Sequence, residues 1–325
     1  SKTVSSHGGL YVSHMRSEGT NIFKAVDEVL TIAMKAKLPV HISHLKLAGR
    51  PMWGKHNELL ARLDRARAGG IRLTHDQYAY TASSTSLRQL LPDEMVVGGS
   101  VEFAKRMSDP KTHENTVLWM MERIRARKRE DYSYVVIALH KKDSRYNGLN
   151  VVQAAKLRYG LDTLDHQIAL IIEIETNGGA SAVFHGMHED DARAFLKHPY
   201  TMFASDSSVR AYNVGVPHPR GYGNAARFLA RYVRDQKQLK LQEAIRKLTL
   251  LPAKSFRLKG RGAIRVGFAA DLVVFDPKKI QDNATFKEPH AYATGFRLVI
   301  VNGQVVVEND RHNGAGPGRI IRRAQ

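Results

Sequence analysis

Cysteine is absent from all 325 residues. That excludes disulfides, thiolate metal ligands and a cysteine nucleophile within this chain. It leaves the compartment open, because a reduced cytosolic protein can also do without cysteine. Acidic residues are scarce beside basic ones: 31 Asp and Glu face 50 Lys and Arg, a formal charge of +19. No run approaches the roughly eighteen apolar residues of a membrane helix, so no membrane span is expected. Fixed-period repeats and low-complexity tracts are missing, as are a zinc finger, an RNA-recognition signature and regular basic and aromatic interleaving. Nucleic acid is therefore not the expected partner.

What is present reads as a folded chain. A hydrophobic share of 43% with 25% charged residues is ordinary for a globular protein with a sizeable core. The basic excess fits an anionic partner, such as a carboxylate or phosphate substrate or an acidic companion chain. It fits a solvated basic surface as well. The densest basic stretch, Glu122 to Glu130, is flanked by glutamates and reads as an exposed helix. The chain starts at Ser1 rather than at a methionine and shows no signal-peptide pattern, which reads as a piece trimmed from, or processed out of, something longer. A cytoplasmic location is the expectation.

Four apolar runs rich in β-formers set the organisation. Gly9 to His14 and Leu38 to His44 each end on a histidine, Ile71 to Tyr80 follows, and Tyr200 to Asp206 ends on an aspartate. Apolar residues at helical spacing over 21–37 separate the first two runs. A second amphipathic stretch over 56–68, closed by Gly69-Gly70, precedes the third. Strand, helix, strand is the pattern of a parallel α/β sheet. From about Ser84 to Ala180 the alternation breaks into long polar and basic helices, an insertion too long for a structureless loop. Gly178 to Phe184 resumes the core pattern, and His188 to Asp191 opens a helix to about His198. Helices near 222–235 and 241–249 follow. The end is β: Gly267 to Asp276, then a hairpin of Phe296–Val301 and Gln304–Glu308 around Asn302-Gly303.

Side chains alternate along a strand, so His41 and His44, three apart, point oppositely if the strand is regular. That parity groups His44 with Ile42 and Lys46 as the site-facing set and leaves His41 packed or hydrogen-bonded. Neutral imidazoles suit zinc, and a carboxylate such as Asp206 can ligate and also move a proton. Spacing alone leaves His14 and His44 open to a structural reading. Two histidines and one aspartate do not by themselves complete a hydrolytic zinc site.

Tyr11 to Gly19, His41 to Lys46 and Asp76 to Thr85 resemble successive motifs of the N-acyl-D-amino-acid deacylases (D-aminoacylases) of the amidohydrolase superfamily. Ala204-Ser205-Asp206, Pro217 to Arg220 and Gly267 to Asp276 continue the series. The resemblance runs through essentially the whole chain, most loosely over 84–180. It implies a TIM-like (β/α)₈ barrel of α/β class with a small β-sandwich, and a zinc-dependent hydrolysis of the amide of N-acyl-D-amino acids. On that resemblance His14, His44 and Asp206 hold one or two Zn²⁺ ions, and Asp206 is also the acid/base. Lys46, Tyr78, Ser84 and Arg220 grip the substrate carboxylate, a role that suits an Arg fork and a Lys point charge.

The family's first-strand His-x-His pair and its bridging ligand, often cysteine, do not occur. The spaced pairs His41/His44 and His185/His188 are not His-x-His. The chain thus resembles the second half of the barrel: 1–83 strands five to seven, 84–180 a lid insertion, 181–255 the barrel end with strand eight, 256–325 part of the sandwich and a tail. A second polypeptide supplying strands one to four is the expected partner. Alternatives are a cyclic-amide hydrolase of the hydantoinase or dihydroorotase kind, or a non-catalytic half-barrel subunit.

Overall fold

The computed structural model describes residues 1–321. Its central layer is a parallel sheet in the order β1 (Tyr11–Ser13), β2 (Val40–Ile42), β3 (Leu73–Gln77) and β7 (Thr201–Phe203). The register runs Val12 to His41 to Thr74, then Asp76 to Met202. Parallel neighbours need a crossover, and the helices Ile22–Ala36 and His56–Ala68 supply the first two. The Ile22–Ala36 helix buries Ile22, Ala25, Val26, Val29, Leu30, Ala33 and Ala36, one stripe at helical spacing. That stripe packs in one core with Val40, Ile42 and Leu73. The Val40/Ile42 face of β2 is therefore the helix face, and His41 lies on the opposite pleat. Behind the His56–Ala68 helix it is Gly70, at φ +91°, that takes the left-handed turn, while Gly69 stays at −76°.

The insertion holds more strand than its sequence advertises. β4 (Ser83–Ser86), β5 (Val135–Leu139) and β6 (Ser181–Phe184) form an antiparallel sheet in the order β4-β6-β5. Helices Gly99–Met107, Pro110–Ala126, Val151–Tyr159 and Leu164–Thr176 cover it. Leu87, Phe103, Met120, Ile137, Ile171 and Phe184 belong to its own core. The boundary expected at residue 181 is corrected here: Ser181–Phe184 closes the insertion's sheet and is not a barrel segment. Its apolar run is equally compatible with a buried parallel strand, so only the pairing decides. The basic stretch 122–130 also departs from a wholly exposed helix. The helix ends at Ala126, Ile124 is buried, and Arg129 turns back over the Tyr134 ring at 4.1 Å.

The helix Glu189–Lys197 leads into β7, and Arg220–Arg227 continues into a π-helical stretch, Phe228–Asp235. The C-terminal unit is one antiparallel sheet, in the order β11 (Arg311–His312), β10 (Gln304–Glu308), β9 (Phe296–Val301) and β8 (Leu272–Phe275). The β9–β10 turn has φ 48° at Asn302 and 82° at Gly303, both left-handed, as a two-residue type I′ hairpin requires. No helix among the described residues is long and apolar enough to cross a membrane.

Candidate active site

The C-terminal ends of the parallel strands converge. His14 Nδ1 and His44 Nε2 face each other at 2.9 Å, their rings 4.7 Å apart between centroids. His14 follows β1 directly. His44 arrives differently from the regular-strand expectation, because β2 stops at Ile42 and His44 sits at φ +40°. The parity argument is thus corrected in its premise: on the strand itself it is His41 that lies opposite the helices, and a left-handed turn brings His44 round. Asp76 holds that turn, its Oδ1 accepting from the His44 backbone N–H at 2.7 Å.

His41, 2% exposed, has a tautomer that its partners define. A carboxylate only accepts, so Nε2 donates to Asp76 Oδ2 at 2.6 Å, and Nδ1 accepts from the Thr74 hydroxyl at 2.8 Å. His41 is packed and bonded, as expected. Asp76 then bonds both His41 and the chain carrying His44.

Beside the histidines lie two buried cations. Lys46 is 2% and Arg220 5% exposed, and the buried Tyr78 ring lies beside both. Lys46 Nζ is 5.7 Å and the Arg220 guanidinium 4.7 Å from its centroid. Burial pushes the Tyr78 phenol well above its usual range, so it stays protonated. Its hydroxyl reaches Met187 Sδ at 3.5 Å. Arg220 Nη2 donates to the Ser84 carbonyl at 3.4 Å, and Nη1 lies 2.8 Å from Asp206 Oδ2. Nη1 is nevertheless buried without an aligned hydrogen bond. A guanidinium N–H left in that state is suited to an incoming oxyanion. His218 supports the arginine: Nδ1 accepts from the Arg220 N–H at 3.0 Å and Nε2 donates to the Ala82 carbonyl at 2.9 Å. Burial first, and Arg220 second, hold His218 down to about 3, so it is neutral.

Glu18, which sequence reasoning quoted within a motif but gave no role, lies at the junction. Its Oε1 is 2.5 Å from Lys46 Nζ, 2.7 Å from His44 Nδ1 and 4.0 Å from His14 Nδ1. Burial pushes Glu18 up, but Lys46 and His44 outweigh it and bring the carboxyl down to about 2. Partial burial, with His44 and Lys46, holds His14 below the ordinary imidazole value against the opposing pull of Glu18 and Asp206. A neutral imidazole is the form that ligates.

Among the described residues, one group of side chains could hold a metal ion: His14, Glu18 and His44. The donor set suits zinc, with two ring nitrogens 2.9 Å apart and a carboxylate oxygen 2.7 Å from one of the rings. Asp206 is not in that group. It follows β7 at φ +48° and pairs with Arg220, so it stands at the rim between histidines and arginine. Of the residues expected at the site, His14, His44, Lys46, Tyr78, Arg220 and Asp206 are thus adjacent, and Ser84 contributes its carbonyl. Asp76 and Glu18 were missed. The signal for Glu18 was its place four residues after His14, and Asp76 gave only strand-end position.

Comparison with known proteins agrees with this geometry. A model of the amidohydrolase family matches residues 3–307. A D-aminoacylase of Alcaligenes xylosoxydans xylosoxydans is 31% identical over 322 residues, 99% of this chain but 56% of its own length. A crystal structure of D-aminoacylase superposes with a TM-score of 0.78 at 31% identity, covering 99% of this chain and 58% of that one. An N-acyl-D-glutamate deacylase from Bordetella bronchiseptica, complexed with zinc and a phosphonate inhibitor, gives 0.72 at 28% identity, covering 94% and 54%. The chain spans about half the length of the curated relatives it matches.

Proposed function

Because the chain belongs to the amidohydrolase family, we propose that it hydrolyses the amide of N-acyl-D-amino acids, releasing a D-amino acid and a carboxylate. The observation that carries this reading is the placement of Lys46 and Arg220 beside the buried Tyr78 ring, next to the facing imidazoles of His14 and His44. Two buried cations, one with an N–H lacking an aligned acceptor, suit an α-carboxylate better than a neutral cyclic amide.

His14 and His44 would hold zinc. When bound, such an ion supplies water activated near neutral pH and polarises the acyl carbonyl. The chain's own residues do the rest. Arg220 and Lys46 dock the carboxylate, and Ser84 and Tyr78 shape its seat. Asp206 moves a proton from water to the leaving amine. The substrate carboxylate competes with Asp206 for Arg220 Nη1, so docking frees the base at the moment it is needed.

β1 and β7 each have one unpaired edge in this sheet. Completing strands, with further metal ligands, belong to this reading. The relatives carry the corresponding length in single chains; here it would come from more of the same polypeptide or from a second one. Intact-mass measurement of the purified active species decides between them. The function itself is tested by assaying N-acetyl-D-amino acids, their L-enantiomers and hydantoins beside metal analysis of the active species. Cleavage of the D-substrates with stoichiometric zinc is the expected result. Hydantoin turnover alone, or no bound metal, refutes it.

A further inference from the structure

The connection between β8 and β9, residues 276–295, is long for an antiparallel pair and leaves its own sheet. Gln281 and Thr294 exchange backbone hydrogen bonds at 2.9 and 3.0 Å and close its base. Beyond that base, Phe286 packs on the ring of His218, the residue that accepts the Arg220 N–H, with centroids 5.1 Å apart. His290 meets the loop that joins Asp206 to Arg220. We infer that His290 is a positioning residue: it staples this loop and so sets where the Arg220 guanidinium stands against the Asp206 carboxylate. The consequence for substrate rests on the preceding reading, but the hold on the loop does not.

Four hydrogen bonds at His290 make the same demand. The Asn213 N–H, which only donates, reaches Nδ1 at 3.2 Å, so the neutral ring carries its proton on Nε2. Nε2 donates to the Gly215 carbonyl, which only accepts, at 2.9 Å. The Tyr222 hydroxyl lies 2.8 Å from Nδ1 and donates to it, sharing the lone pair with Asn213. The Tyr212 hydroxyl donates to the His290 carbonyl. Three of these bonds grip residues 212–215, and the fourth grips the helix that Arg220 opens, two residues beyond the arginine. The grip falls where the loop is least able to hold itself: Asn213 and Gly215 stand at φ +60° and +65°, in the left-handed region. On its other side the loop is tied to the insertion, the Val216 N–H donating to the Ala138 carbonyl at 2.7 Å. Arg220 depends on such support. Its Nη1 is buried without an aligned hydrogen bond, so the backbone must place the guanidinium before an anion arrives.

The test uses the full 325-residue chain, with amide hydrogen exchange over 207–217 and titration with an N-acetyl-D-amino acid and its methyl ester. His290→Ala is expected to speed exchange of the loop but not of the helix Ile22–Ala36. It should also cut the preference for acid over ester about 10-fold, the low end of the loss of a hydrogen bond to a charged group. His290→Asn keeps an acceptor for Asn213 and Tyr222 and should recover part of both effects. Tyr212→Phe removes one bond without touching the imidazole, so it serves even if His290→Ala fails to fold; it should speed loop exchange to a smaller degree. Unchanged loop exchange across these variants overturns the inference. So does faster exchange with an unchanged acid preference, or equal weakening of acid and ester, because His290 would then hold the fold and not the arginine. If the parent shows no preference for the acid, the carboxylate reading fails, and the exchange measurement alone judges the hold on the loop.

Discussion

The sharpest consequence of the site concerns Arg220. Replacing it with alanine removes the buried guanidinium 4.7 Å from the Tyr78 ring centroid and 2.8 Å from the Asp206 carboxylate. Its Nη1 has no aligned partner to lose, so the cost falls on whatever anion docks there. A hydrogen bond to a charged group contributes about 1.5–3 kcal/mol, and each 1.4 kcal/mol is a factor of about ten. Binding of an N-acetyl-D-amino acid should therefore weaken about 10- to 150-fold on that scale. Losing the counter-charge of Asp206 acts in the same direction. Arg220→Lys keeps the charge without the fork and should fall between parent and alanine variant. The assay is isothermal titration with the free acid and, in parallel, its methyl ester. The parent should prefer the acid, and Arg220→Ala should erase most of that preference while leaving ester affinity alone. Equal weakening of acid and ester would refute the carboxylate assignment and leave Arg220 a structural residue.

Three further outcomes follow from the same geometry. Asp206→Asn should lower kcat about 10²- to 10⁴-fold while zinc content stays near the parent value, because Asp206 lies outside the histidine cluster, and substrate affinity rises, because Arg220 loses its competing carboxylate; full turnover would refute its proton role. His218, held down to about 3, binds its proton in the unfolded chain first, from the ordinary value of 6.5 downward. Its contribution to stability is thus complete above that value and is lost as pH falls toward 3; the melting temperature should drop across this window, less steeply in His218→Asn, and an unchanged slope would count against it. Gly223→Ala places a Cβ 1.6 Å from Asp282 Oδ1, whose carboxylate accepts from the Tyr80 hydroxyl and faces Arg227. Overpacking of this kind costs about 1–3 kcal/mol, measurable by urea unfolding, and a neutral result would mean that Asp282 moves freely.

Much of the architecture was legible because its signals are local. The helix over 21–37 could be read from one apolar stripe, and Asn302-Gly303 from the positive φ that both residues must adopt. The parallel order of β1, β2 and β3 followed from helix-length connections, whereas β7, beyond the whole insertion, was placed beside them only through the family resemblance. Ser181–Phe184 was not legible in the same way. A short apolar run between glycines and a helix looks alike whether it joins a parallel sheet or an antiparallel one, and its partners, Ser83–Ser86 and Val135–Leu139, lie far away in sequence. Val135–Leu139 was hidden because a single continuous apolar strand among basic helices carries no alternation.

The site divides along a similar line. His14 directly follows its strand, so periodicity reaches it. His44 does not, since β2 is only three residues long and ends at Ile42. Beyond a strand end, parity has no hold, and direction is set by the φ of the turn and by whatever bonds the turn. Here that is Asp76, whose carboxylate receives both the His41 ring and the His44 backbone N–H. Sequence pattern could therefore nominate His44 and Lys46 as neighbours two residues apart. It could not supply the reason, which is a left-handed residue clamped by a strand residue from β3. The same limit hid Glu18, whose importance lies in meeting both of those side chains at one oxygen. Residues that act on a substrate leave a mark in chemistry and spacing, whereas residues that orient them are found only when the chain is folded.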